Sequence, residues 1–538
     1  MNSGEIILAE AIERRSKNPS SSWLSTLVDS VASQVTDRLN PILVKEARQA
    51  LKSRQFVVTF TLLLIAAWVW TLFEISMNMP GVYYTPLGGE LMLGYYFILA
   101  VPMLVIVPFT SFRSLASEQE DGTYELLSIT SLTSRQIVTG KLASAILQMV
   151  VYYSALAPCL AFTYLLRGID VATICLLLFY TFLASVLFSA IGLVFAGFST
   201  QRTWNAMVSV LLLLALAFGT FGWLVFLVDE LYDELARVPL DAPEFWIGNL
   251  VAVTAYISYL VLFVQVAAAQ NSFASDNKST RIRVTLLVQA ACYVGWIGFA
   301  FAQFGFEPQV PIVASFYAAF HWMIYGAYLC NEGDIVSPRV KRSLPQSFLG
   351  RMLLTWFNPG SGTGYLFAVA TFGTILLAFV VIGSVFEVLG YQRRWGPNLG
   401  ELVWGLAFLL AYYIAYLGLG RILLRMIPAW QRQVFLVPIL LYVVLLILGV
   451  VTPLGIDAAI SRNSNPTYSA LHSSNWAWTL NEVLDNRSVP VAVYLLVLGS
   501  AALIFLINLI MATREIEAVR IATPQRILDE DRSPATDT

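Results

Sequence analysis

The chain has 538 residues, of which 58% are hydrophobic, 13% aromatic and only 12% charged, with a mean hydropathy of +0.71. A water-soluble domain carries roughly 25% charged residues, so this chain lacks the charge to cover a surface facing water and reads as an all-α polytopic membrane protein. A formal net charge of −2 with no strongly basic tract also argues against nucleic acid as a partner.

Residues 1–39 are polar and of mixed charge, with Glu5, Glu10, Glu13, Arg14, Arg15 and Lys17, and they lack the charged, apolar, small-residue order of a signal peptide. They read as a retained cytoplasmic tail. A helix needs roughly 20 apolar residues to cross the hydrocarbon core. Segments of that kind lie near 56–77, 93–112, 141–166, 171–198, 204–228 and 246–270. Six more lie near 284–304, 312–330, 364–389, 399–421, 433–456 and 490–512.

Twelve spans with a cytoplasmic N-terminus put both termini inside, the C-terminal tail being 513–538. That arrangement leaves 26 of the 32 Lys and Arg residues inside, and only Arg167, Arg237, Arg393, Arg394, Arg462 and Arg487 outside. The asymmetry is the one that orients membrane proteins, and losing a single span would destroy it. The expected location is a plasma or inner membrane.

The spans are nearly free of charge. A charge at mid-span costs about 2.5–3.5 kcal/mol on insertion scales, a cost that ion-coupled transporters tolerate. Here Glu74 and Glu387 sit near span ends, and Asp229, Glu230, Asp233 and Glu234 follow the fifth span as a solvated face or cap. No mid-membrane carboxylate pair suggests proton or sodium coupling. Cys159, Cys175, Cys292 and Cys330 lie in apolar runs without a Cys-x-x-Cys pair and read as small buried hydrophobes. His321 lies in an apolar run and His472 in a polar one, and no His-Glu-x-x-His occurs. His321 reads as a hydrogen-bonded packing residue, with a proton relay as the alternative.

Two polar segments carry the functional signal. In the first, Asn40 can cap a helix whose first turn holds Pro41. Lys45, Arg48, Lys52 and Gln55 then share one face opposite Leu43, Ala47, Ala50 and Leu51, which predicts an amphipathic interfacial helix running into the first span. A basic topological flank is the alternative. The second segment joins spans two and three and contains Glu118, Glu120, Gly122, Thr123, Tyr124, Glu125, Leu126 and Leu127. Gly122 permits a turn, Thr123 can cap a short helix, and Thr133 with Gln136 fits a capping box. An exposed hairpin presenting acidic and aliphatic groups suits docking better than a solvated loop does. Pro102 and Pro108 can bend the second span beside it.

Asn40-Pro41 with Lys45-Glu46, the run Glu118 to Leu127 and the later Gly140-Lys141 together resemble the permeases of ABC transporters of the ABC-2 type. The resemblance covers about residues 40–270. It implies an interfacial connecting helix containing Asn40, Pro41, Lys45, Glu46 and Arg48. It also implies a coupling helix whose Glu118, Glu120, Gly122, Thr123, Glu125, Leu126 and Leu127 touch an ATPase subunit. Residues 284–512 exceed the family's usual six spans. Trp356-Phe357-Asn358-Pro359-Gly360 offers a second Asn-Pro, but no acidic Gly-Thr-Glu element follows, so a degenerate second permease-like half and an unrelated six-span appendage both remain open. No Gly-x-x-x-x-Gly-Lys-Ser/Thr occurs, and Gly360-Ser361-Gly362-Thr363-Gly364 lacks the lysine that holds phosphates.

The expectation is therefore a permease subunit that is not itself an enzyme and binds no cofactor. It would be driven by a separate P-loop ATPase that holds the ATP, as an exporter more than an importer, alone or beside a second permease or a second copy. An ion-coupled secondary transporter is the alternative, and a membrane-embedded assembly factor or enzyme a third. Charge-poor spans are compatible with lipids, hydrophobic drugs, peptides or a polymer.

Overall fold

The computed structural model describes residues 40–124, 132–198, 201–233, 241–273, 275–304, 309–333, 337, 340, 347, 350, 354–388, 399–427, 436–461, 468–485 and 489–520. These residues form α-helices joined by turns and short 3₁₀ segments, with no strand among them. In chain order they are α1 (Pro41–Lys52), α2 (Arg54–Met77), α3 (Gly88–Ala100), α4 (Val107–Glu120), α5 (Ser134–Leu165), α6 (Val171–Ala196), α7 (Arg202–Asp233) and α8 (Pro243–Gln270). There follow α9 (Thr280–Phe304), α10 (Gln309–Cys330), α11 (Ser361–Val388), α12 (Leu399–Met426), α13 (Leu436–Ser461), α14 (Trp476–Leu484) and α15 (Val491–Arg520).

Among the described residues, 12 helices are long and apolar enough to cross a membrane, with α3 and α4 counting as one span, Gly88–Glu120. Their number and order match the sequence expectation. Their ends do not. The second span runs Gly88–Glu120 rather than 93–112, and the third starts at Ser134 rather than 141. Hydropathy marks only the hydrocarbon-crossing part of a helix, whereas backbone hydrogen bonding carries the helix on into polar turns. Arg283 and Glu515 lie in such turns.

By its internal contacts the chain divides into two compact units, residues 1–193 with 209–238 and residues 194–208 with 239–538. The sixth span, α8, thus belongs to the second unit, whereas the sequence reading closed its first permease-like domain at residue 270.

In the first unit, α1 and α2 are separate helices. Lys52 ends α1, Ser53 is extended (φ −68°, ψ 143°), and its hydroxyl accepts from the Phe56 amide at 3.1 Å to open α2. Gln55 therefore sits on α2 and not on the amphipathic helix. Hydroxyl contacts join the spans: Thr59 meets Tyr152 at 2.6 Å, Thr71 meets Tyr95 at 2.6 Å, and Tyr96 meets Thr181 at 2.6 Å. In hydrocarbon such groups have no water to turn to, so they pair with one another.

The second span is irregular where prolines were expected to bend it. A π-helical turn, Val101–Ile106, containing Pro102 separates α3 from α4, whose first turn holds Pro108. Such turns shift the backbone register and free main-chain groups. One of these, the Met103 carbonyl, accepts from the Ser185 hydroxyl of α6.

In the second unit, α11 starts at a tight turn. Gly360 has φ +143°, and a Cβ on Gly364 would stand 2.5 Å from the Leu329 carbonyl oxygen. The glycines of Gly360–Gly364 thus serve close helix contact.

Candidate functional site

The two motif segments converge in the first unit. Asn40 caps α1 by accepting from the Ile42 amide at 3.1 Å, and Pro41 fills the first turn as the sequence predicts. The other end of the same amide donates to the Gln136 carbonyl at 2.6 Å, 96 positions away on α5. One side chain therefore both starts α1 and fastens it to the start of the third span. Gly140 makes that approach possible, because a Cβ there would lie 2.9 Å from Asn40 Nδ2 and 3.0 Å from Ile42 Cβ. The expected capping box opens α5, with the Thr133 amide donating to Gln136 Oε1 at 2.9 Å and the Gln136 amide donating to Thr133 Oγ1 at 3.3 Å.

Lys141, next to this glycine, is the centre of the cluster. Its side chain is 1% exposed, and its ammonium lies 3.1 Å from Glu46 Oε1 on α1 and 2.9 Å from Glu118 Oε2 on α4. It also donates to the Ser114 hydroxyl at 2.9 Å and the Ser114 carbonyl at 3.2 Å. Lys45, on the outer face of α1, reaches Glu118 Oε1 at 3.1 Å. A buried cation with two carboxylates and two neutral acceptors is well compensated. Removing one partner of such a pair costs about 3–5 kcal/mol.

The predicted docking residues separate into distinct environments. Glu118 turns inward to Lys141 and Lys45, so it ties helices together. Glu120 lies 3.9 Å from Arg113 on its own helix. Gly122 has φ +68° and ends α4 in the left-handed conformation that glycine adopts without strain, with nothing within 4 Å of its would-be Cβ. The Thr123 hydroxyl donates back to the Glu118 carbonyl at 3.2 Å. Burial pushes the Tyr124 phenol up, its hydrogen bond with Ser134 opposes this, and the Glu118 carboxylate adds to the rise. Tyr124 is half-buried. Glu125, Leu126 and Leu127 lie outside the described residues, as do Glu234 and the side chains of Asp229, Glu230, Asp233 and Glu387. Arg48 is exposed on α1, while Ile42, Glu46 and Ala47 form its buried face.

The sequence reading missed several features. Glu74 is buried at the end of α2, accepts from Asn78 at 2.8 Å and has the Glu90 carboxylate, at the start of α3, as a close neighbour. A carboxylate pair thus exists, at helix ends rather than mid-span. In the second unit, Arg283 is fully buried and its guanidinium meets Glu332 at 2.6 Å, the Trp356 carbonyl at 2.8 Å and the Gly360 carbonyl at 3.1 Å. Arg421 similarly meets Glu515 at 2.5 Å and Asn508 Oδ1 at 2.9 Å. Glu515 also pairs with Arg425 and accepts from the Gly362 amide at 2.8 Å. His472, in a polar run of the sequence, is buried against the Trp478 ring at 4.5 Å.

No protein-family model, curated protein or solved structure matches this chain.

Proposed function

We propose that this multi-pass membrane protein is the permease of an ATP-driven transporter of the ABC-2 type, an exporter whose ATP is hydrolysed on a separate P-loop subunit. The observation that carries this reading is the convergence of Asn40, Glu46, Glu118 and Gly140-Lys141. Motif residues spread over 100 positions of sequence meet where α1, α4 and α5 pack: Asn40 donates to the Gln136 carbonyl, Lys141 donates to Glu46, and the Lys141 ammonium stands 2.9 Å from Glu118. A solvated connecting loop has no need of a buried lysine beneath it. A push on the hairpin would reach Glu118 at the end of α4, pass through Lys141, and move α1 and α5 together.

In this reading both termini and the hairpin are cytoplasmic, as the Lys and Arg distribution requires, and the membrane is a plasma or inner membrane. The chain binds no cofactor itself. The ATPase docks on Glu120, Thr123, Glu125, Leu126 and Leu127, and a second permease or a second copy completes the assembly.

The test is purification from native membranes of the chain carrying Glu120→Lys with Glu125→Lys. Like charges forced together at an interface cost several kcal/mol, so the co-purifying ATPase and its ATP turnover should be lost while membrane insertion stays normal. Retention of a wild-type amount of ATPase by this variant would rule out the hairpin as the docking element. The Glu74–Glu90 contact favours a second reading, an ion-coupled transporter. Transport that depends on a proton or sodium gradient and is abolished by Glu74→Gln, with no ATP requirement, would select it.

A further inference from the structure

We propose that the outer face of α1 is a binding site for an anionic phospholipid, whose phosphate closes on Arg48 and Lys52 where the chain enters its first span. Such a site needs no ATPase partner and stands whether or not the hairpin docks one.

The 12 residues of α1 divide by charge as well as by burial. Ile42, Glu46 and Ala47 are buried, while Lys45, Arg48, Gln49 and Lys52 recur at helical spacing on the opposite side, all exposed. Glu46 is the only acid in the helix, and it turns inward to Lys141. The exposed charge of α1 is therefore wholly positive. Lys45 reaches Glu118, but neither Arg48 nor Lys52 pairs with an acid among the described residues. Like charges four positions apart destabilise a helix. Arg48 and Lys52 stand one turn apart, with Cβ atoms about 5–6 Å from each other in a regular helix, so a single phosphate can accept from both and relieve their repulsion. An anion is what this face lacks.

The position of the face selects the source of that anion. Ser53 separates α1 from α2, Arg54 opens α2, and Val57 and Val58 are already exposed one turn later. Valines that face outward from a membrane span face hydrocarbon. The C-terminal end of α1 therefore lies at headgroup depth. Val44 and Leu51, half-buried beside the basic strip, supply the apolar edge of a helix seated in the interface. Anionic headgroups attract such basic segments, each nearby Lys or Arg contributing about fivefold to binding. A free phosphate or nucleotide would meet the charge and leave the apolar edge in water. A phospholipid meets both, with its phosphate on Arg48 and Lys52 and its chains against the start of α2.

The full chain in non-ionic detergent, titrated with phosphatidylglycerol or with phosphatidylcholine of the same acyl chains, tests this by native mass spectrometry, which resolves each bound lipid. The first phosphatidylglycerol is expected to bind about 25-fold more tightly than the first phosphatidylcholine, two cations at about fivefold each. Arg48→Gln with Lys52→Gln should bring the two lipids to parity, and should unfold no earlier than wild type on heating, because it removes a repulsion. Arg48→Lys with Lys52→Arg keeps both charges and should keep the preference. Arg281→Gln, which removes an exposed cation at the start of α9, should leave it unchanged. Equal affinity of wild type for the two lipids overturns the proposal. So does a double glutamine variant that retains the preference, or an Arg281→Gln variant that loses as much of it, since the whole basic flank would then be responsible. Displacement of bound phosphatidylglycerol by millimolar glycerol 3-phosphate would also overturn it, because the face would then hold a soluble phosphate and not a lipid.

Discussion

Lys141 in the first unit and Arg283 in the second are both buried cations at helix ends, but they differ in what they hold. Lys141 directs its ammonium to two carboxylates on separate helices and to one serine. Arg283 meets a single carboxylate, and its other donors go to two main-chain carbonyls and the Thr363 hydroxyl. The first arrangement gathers two carboxylates, the Ser114 hydroxyl and the Ser114 carbonyl around a point charge. The second is a planar fork fitted to fixed backbone atoms around the Gly360 turn. The difference matches lysine and arginine chemistry. Under the proposed function, the first cluster is the place through which movement would pass and the second is a joint fitted to backbone.

The largest expected effect comes from emptying the first cluster. Lys141→Met leaves Glu46 and Glu118 buried without their shared cation, and should lower stability by about 3–5 kcal/mol. Thermal unfolding in detergent, followed by fluorescence-detected gel filtration, reads this out. A change within about 1 kcal/mol, the range of an exposed pair, would mean that water compensates the carboxylates and that the cluster is not the joint described.

Arg283→Lys should have a smaller but definite effect. It keeps the positive charge near Glu332 while losing the fork that reaches Trp356, Gly360 and Thr363 together. Leaving such buried acceptors unmet costs about 1–3 kcal/mol. If the substitution is silent in the same unfolding assay, charge alone holds the second joint, and the contrast with Lys141 disappears.

Much of this architecture was legible in the sequence, for identifiable reasons. Twelve apolar runs and the Lys/Arg asymmetry are averages over many residues, so errors in single positions cancel. Asn40, Pro41, Thr133 and Gln136 act within one helical turn, and local chemistry is written locally. The partners of Lys141 were not legible, because Glu46 and Glu118 lie 95 and 23 positions away and only packing brings them together. Arg283 did leave a signal. Arg281 and Arg283 are two positions apart on one helix and so face nearly opposite sides. One of them must turn inward, and it is Arg283, while Arg281 stays exposed. His321 was legible as a hydrogen-bonded residue in an apolar run, and its Nδ1 lies 2.9 Å from the Tyr259 hydroxyl.

The smallest effect is expected from Lys45→Ala, and it sharpens the comparison most. Lys45 lies 3.1 Å from Glu118 and 3.8 Å from Glu46, the same two carboxylates that Lys141 serves. Distance alone would rank the two lysines together. Their environments differ, because the Lys45 side chain is 54% exposed and that of Lys141 only 1%. An exposed ammonium keeps most of its hydration, and salt screens its attraction to the carboxylate. The loss on Lys45→Ala should therefore be about 0.2–1 kcal/mol, and it should shrink further as ionic strength rises. The loss on Lys141→Met should barely respond to salt. Unfolding of both variants at low and high salt gives the four values needed. Should Lys45→Ala prove as damaging as Lys141→Met, and independent of salt, the two carboxylates would require both cations. The first cluster would then be a neutralised core like the second unit's Arg421, Arg425 and Glu515 group, and not a point through which the hairpin can move its neighbours.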